Sequence, residues 1–129
     1  MCNYLHEDSK PIDEDGIGYK VFSKIYGEYK TAFLANDYLN IYSEIVDPRK
    51  EKIIWNNDKY EDTGFCFFIS KEEALRFLNN PNTISRYFVL AEIKYNKGLG
   101  KHQEDRIQAS ERYETGLCKE FIVSKEISY

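Results

Sequence analysis

One stretch, Thr63-Gly64-Phe65-Cys66-Phe67-Phe68-Ile69-Ser70-Lys71-Glu72-Glu73-Ala74-Leu75-Arg76-Phe77-Leu78, constrains the fold more than any other part of the chain. Residues 65–69 are apolar at every position, the pattern of a strand covered on both faces. Ser70 followed three residues later by Glu73 has the capping-box spacing that satisfies orphan backbone donors at a helix start. Ala74, Leu75 and Leu78 then recur at helical spacing, and Asn79-Asn80-Pro81 stops the helix. The stretch predicts a central strand, a capped turn and a helix packed on the sheet.

Strand signals dominate the remainder. Gly18-Tyr19-Lys20-Val21-Phe22-Ser23-Lys24-Ile25 and the segment 28–34 flank Tyr26-Gly27, so residues 19–34 read as a hairpin whose turn uses the permissive φ of Gly27. Residues 36–45 fit alternation nearly as well as a helical stripe, and Pro48 closes them in either case. Residues 50–55 form a short strand, followed by the turn cluster Asn56-Asn57-Asp58. Within 86–95, Tyr87, Val89, Ala91 and Ile93 share one face, with Phe88 and Leu90 on the other. Asn96-Lys97-Gly98-Leu99-Gly100 reads as a loop and 101–113 as a surface helix or a flap. Residues 117–123 and 126–129 supply closing strand material. The expected class is α+β, with a mixed or mainly antiparallel sheet and one well-defined helix packed on it. A polar leader over 1–17 precedes a single domain over 18–129.

Composition narrows the functional classes. The 129 residues carry a net charge of −4, which argues against a protein that binds nucleic acid through bulk charge. Three cysteines, Cys2, Cys66 and Cys118, form no Cys-x-x-Cys pair and no even framework, the usage of a reducing cytoplasm. No apolar run reaches the roughly 20 residues of a membrane-spanning helix, so no membrane role is expected. Lysine exceeds arginine, and Asn, Ile and Tyr are abundant, as AT-rich codons supply; this points to an AT-rich bacterium or its phage.

Eleven tyrosines and eight phenylalanines exceed what one helix-on-sheet core can enclose, so some rings are expected at the surface. Tyr26, Tyr29, Tyr38, Tyr42, Tyr60 and Tyr113 lie in polar contexts, where an amphipathic ring can anchor a protein contact or stack on a base. With Lys101, His102, Arg106 and Arg112 they make up the candidate binding set. His102 with Glu104 and Asp105 falls short of four converging zinc donors and reads as a hydrated loop, so no metal is expected. Cys2 is a candidate N-terminal nucleophile if Met1 is removed, its own amine acting as base.

Two resemblances add to this. The Tyr19-Lys20-Val21-Phe22 strand, Gly64-Phe65-Cys66-Phe67-Phe68-Ile69-Ser70 running into Glu72-Glu73-Ala74, and the late Lys119-Glu120-Phe121-Ile122-Val123 strand together resemble a reduced ADP-ribosyltransferase-like layout. That resemblance implies NAD as cofactor, with Lys20 in the first-strand position, Ser70 at the strand end and Glu120 opening the late strand to stabilise an oxocarbenium-like transition state. Lys20 stands where that family has arginine or histidine, and lysine lacks the bidentate fork. Met1-Cys2-Asn3-Tyr4-Leu5, Gly64-Phe65-Cys66-Phe67-Phe68 and Val123-Ser124-Lys125-Glu126-Ile127 are similar to small uncharacterised bacterial and phage proteins, and imply no activity. The reading favoured by the residues is a cytoplasmic, phage-associated accessory protein. It would be a non-enzymatic binding module without a cofactor, contacting a host protein or a small nucleotide-like ligand. The NAD-dependent transferase and the N-terminal cysteine enzyme are the alternatives.

Overall fold

A computed structural model describes residues 10–12, 15–31, 45–46, 52–55, 64–79, 88–105 and 112–129. In chain order these form β1 (Gly16–Ile25), β2 (Glu28–Thr31), β3 (Ile45–Val46), β4 (Ile53–Ile54), β5 (Phe65–Phe68), α1 (Lys71–Leu78), β6 (Phe88–Asp105) and β7 (Arg112–Ile127). Every described strand pairing is antiparallel. The sheet-dominated class expected from the sequence is what the described residues adopt, with one helix among them.

The pairings close on themselves. One edge of β6 pairs with β1 and the other with β7. The far side of β7 pairs with β5, and β5 returns to β1 through Tyr19 opposite Phe68. Four strands therefore form a ring, β1–β6–β7–β5, with β2 and β3 extending from β1 and β4 added to β7. Closure of this kind leaves fewer unpaired strand edges than an open sheet would.

Alternation along the ring separates two apolar clusters. Phe22, Phe65, Phe67, Ala91, Ile93, Tyr95 and Phe121 form one, joined by Ile53 and Trp55 from the β4 region. Val21, Phe68, Leu90 and Tyr113 form the other, together with Ala74 and Phe77 of α1. Neighbours such as Val21 and Phe22, or Phe67 and Phe68, fall on opposite sides, as the two-residue repeat of a strand requires. All four residues of β5 are buried, because the ring interior takes one face and the second cluster the other.

Phe67 touches every strand of the ring. Its side chain stacks on Tyr95 of β6, with centroids 4.5 Å apart and planes at 27°. A Cβ added at Gly18 of β1 would come within 2.4 Å of the Phe67 ring, and one at Gly116 of β7 within 2.7 Å. Glycine at both positions is thus a packing requirement: the ring lies directly on bare backbone on either side. Tyr95 uses Gly16 in the same way.

Local chemistry explains the helix. Ser70 Oγ accepts from the Glu73 amide at 3.2 Å, and Ser70 has the extended backbone of an N-cap. The Glu73 carboxylate, expected to reach back to Ser70, accepts instead from the Glu114 amide of β7 at 2.9 Å and pairs with Arg76 at 2.9 Å. Burial pushes the Glu73 pKa up, but those donors outweigh it and hold the carboxyl below its ordinary value. Arg76 lies over the Tyr113 ring at 4.3 Å.

Four sequence expectations are corrected here. Residues 96–100 are not a loop, and 101–105 are neither helix nor flap: both lie inside β6, which pairs with β7 as far as Asp105 opposite Arg112. The residues that resemble a loop are absorbed as a bulge, with Lys97 at φ 55° and a register shift between Gly98 and Gly100. The two closing segments are likewise one strand, β7. The first strand, β1, begins at Gly16 rather than 18, and Ile12 packs against the interior cluster. Residues 36–44, Asn56-Asn57-Asp58 and Pro81 lie outside the described residues.

Gly18→Ala is expected to lower the unfolding free energy by about 1–3 kcal/mol, the usual cost of overpacking, as read by urea denaturation. Gly27→Ala, where nothing lies within 4 Å of the added Cβ, separates this effect from backbone strain because Gly27 carries φ 77°. Loss at Gly27 but none at Gly18 would contradict the packing assigned to Phe67.

Candidate functional site

Lys20 is the most unusual polar residue in the described chain. Two-residue alternation on β1 puts it on the side of Phe22, and its side chain is 3% exposed. The Nζ atom donates to the Cys66 carbonyl at 2.6 Å and lies 5.8 Å and 5.9 Å from the ring centroids of Phe22 and Phe65. A carbonyl dipole and two ring faces stabilise a cation less than a carboxylate would. Burial accordingly pulls the lysine pKa down, opposed by the nearby Cys66 and Cys118 thiols. Burial also pushes the Cys118 thiol up, to about 12, so it stays protonated and is a poor nucleophile.

Glu120 lies on β7 and is buried at 5% exposure, with two lysines closing over it. Lys97 Nζ is 2.9 Å from Oε1, and Lys52 Nζ is 3.2 Å from Oε2. The Lys52 approach is an ion pair without hydrogen-bond alignment, which leaves Oε2 otherwise unsatisfied. The Lys97 hydrogen bond, helped by Lys52, holds the carboxyl below its ordinary range against the opposing effect of burial. Lys97 makes this contact from a left-handed backbone, a conformation costly for a residue with a Cβ.

Ser70 serves as the N-cap of α1. Lys20, Ser70 and Glu120 therefore each have separate partners: a β5 carbonyl, a helix amide and a lysine pair. An open pocket of about 380 Å³ is lined by Tyr19, Lys71, Glu92, Lys125, Glu126 and Ile127, and includes none of the three.

The expected binding residues divide. Tyr26 is fully exposed at the tip of the β1–β2 hairpin. Tyr29 is partly buried: its hydroxyl donates to Glu126 Oε2 at 2.8 Å, its ring meets Phe22 edge-on, and Lys24 lies 5.1 Å above it. Burial, then the Glu126 hydrogen bond, raise its pKa. Tyr113 is not a surface ring. It is 1% exposed, edge-on to Phe68 and Phe77 beneath Arg76, because its place on β7 turns it toward α1. Lys101 and His102 lie on β6 and Arg112 on β7, as backbone positions. Cys2, Tyr38, Tyr42, Tyr60 and Arg106 lie outside the described residues.

Sequence reasoning missed the grouping of Tyr19, Glu92 and Lys125, and the lysines that enclose Glu120. Each depends on strand register, which charged residues scattered over 52–125 do not reveal. Tyr26-Gly27, like the Ser70 cap, is a local signal that the sequence shows directly. Comparison with models of known protein families, with curated proteins and with solved structures gives no match.

Because the folded state disfavours the Lys20 ammonium, between its lowered pKa and the ordinary lysine value near 10.5 the unfolded chain binds a proton that the native chain does not. Stability then rises with pH across that window and is flat below it with respect to this group. Lys20→Met is expected to remove that rise, and to be no less stable than the native chain at neutral pH. Parallel stability–pH curves for the two proteins would contradict the burial assigned to Lys20.

Proposed function

We propose that the chain is a binding module that engages a protein partner through the tip of the β1–β2 hairpin. The carrying observation is Tyr26, whose ring is fully exposed while its backbone sits at φ 53°. With Gly27 at φ 77° it forms a two-residue turn with both central residues left-handed. Asn, Asp or Gly relieve the strain of such turns; an aromatic does not. A strained position that also exposes an aromatic ring to water forgoes stability twice, a combination expected where a contact surface needs that ring.

Other observations support binding over catalysis. Lys20, Ser70 and Glu120, the residues of the transferase alternative, have separate structural partners. The phage or mobile-element origin is supported by composition and by the three short motifs. A cytoplasmic site agrees with the cysteine usage, and among the described residues no helix is long and apolar enough to cross a membrane.

Tyr26→Asn provides the test. Asparagine tolerates the left-handed backbone, so the thermal midpoint is expected to rise as part of the roughly 1–2 kcal/mol strain is relieved. Affinity capture from lysate of the natural host should retain a partner on the native protein and lose it on the variant. Equal retention by both, or no partner on either, would overturn the reading.

A further inference from the structure

We propose that the open pocket beside the start of α1 binds a small zwitterion of the α-amino-acid class. Three of its residues form a row across the sheet: Tyr19 on β1 faces Glu92 on β6, and Glu92 faces Lys125 on β7. Lys71, the first residue of α1, and Ile127, in the second apolar cluster, flank the row.

The unused pairing between Glu92 and Lys125 carries the inference. Opposite charges directly across an antiparallel pair ordinarily stabilise it by forming an ion pair. Among the described residues, however, neither these two side chains, nor Lys71, nor the Tyr19 hydroxyl makes a hydrogen bond or ion pair, although Lys24, Lys52, Lys97 and Arg76 all do. A register shift lies immediately beside them, between Glu92 and Ile93, where β7 passes from Lys125 to Val123. Bulges re-aim neighbouring side chains and recur beside binding sites. Here the bulge adjoins a pocket of about 380 Å³, within the size range of small-ligand sites.

The charge pattern selects the ligand. Two ammonium groups and a phenol, Lys71, Lys125 and Tyr19, can surround a carboxylate. Glu92 can accept from an ammonium a few ångströms away. Glu126, the sixth lining residue, is already engaged by Tyr29 and Lys24, which leaves Glu92 as the acceptor without a partner among the described residues. A simple anion would leave Glu92 repelling it, and a simple cation would meet two lysines. Ile127 offers an apolar wall for a side chain.

The full-length protein titrated calorimetrically against each of the twenty L-amino acids tests this, with acetate, methylammonium and inorganic phosphate as single-charge probes. At least one amino acid is expected to bind saturably while none of the single-charge probes does so at the same concentration. Glu92→Gln and Lys125→Met should each weaken that binding about tenfold or more, since each removes one charge-assisted hydrogen bond. Tyr26→Asn should leave it unchanged, which separates this pocket from the hairpin surface. Absence of saturable binding by all twenty, or an affinity unaltered in both variants, would overturn the proposal. Phosphate binding that tightens in Glu92→Gln would overturn it in favour of an anion site.

Discussion

The Phe67 ring, pressed between the bare backbones of Gly18 and Gly116 and stacked on Tyr95, is the contact on which the rest of the structure depends. It belongs to β5 and touches the other three strands of the ring. Direct pairing between β5 and β1 is limited to Tyr19 opposite Phe68, so side-chain packing must supply much of what holds that seam. An offset aromatic pair adds about 0.5–1.5 kcal/mol beyond the area it buries. Close approach of strands over glycine keeps the interior free of voids that a smaller side chain would leave.

Closure determines where chemistry can occur. Because the interior is filled by Phe22, Phe65, Phe67, Tyr95 and Phe121, it is a packed core rather than a ligand cavity, and Lys20 is embedded in it. Among the described residues, charged groups left without a partner line the open pocket on the other face. The hairpin tip carries Tyr26, and the row of Tyr19, Glu92 and Lys125 opens beside α1. Glu120, the carboxylate most suggestive of catalysis in the sequence, is instead a member of an ion triad that restrains the β6 bulge at Lys97.

Local signals in the sequence carried far; non-local ones did not. The β5 run, the Ser70 cap and the β1–β2 hairpin were legible because each is encoded within a few consecutive residues. The alternation of Val89, Ala91 and Ile93 against Phe88 and Leu90 also matches the two clusters. Asn96 to Gly100 misled because glycine and asparagine signal a turn equally well when they serve a bulge inside a long strand. Tyr113 misled because its polar sequence neighbours conceal a ring held under α1 by Arg76. Among the candidate site residues, Tyr26 could be read from its turn. The Glu92 and Lys125 row could not, since thirty-odd residues of chain separate partners that only register brings together.

Amide hydrogen exchange of Phe65–Phe68 in the native protein addresses ring closure most directly. With β5 paired to β7 on one side, joined to β1 on the other and covered on both faces, these amides should exchange only through global unfolding, at the free energy found by denaturation. Exchange of this segment at the rate of an open strand edge, well below the global value, would contradict a closed ring built around Phe67.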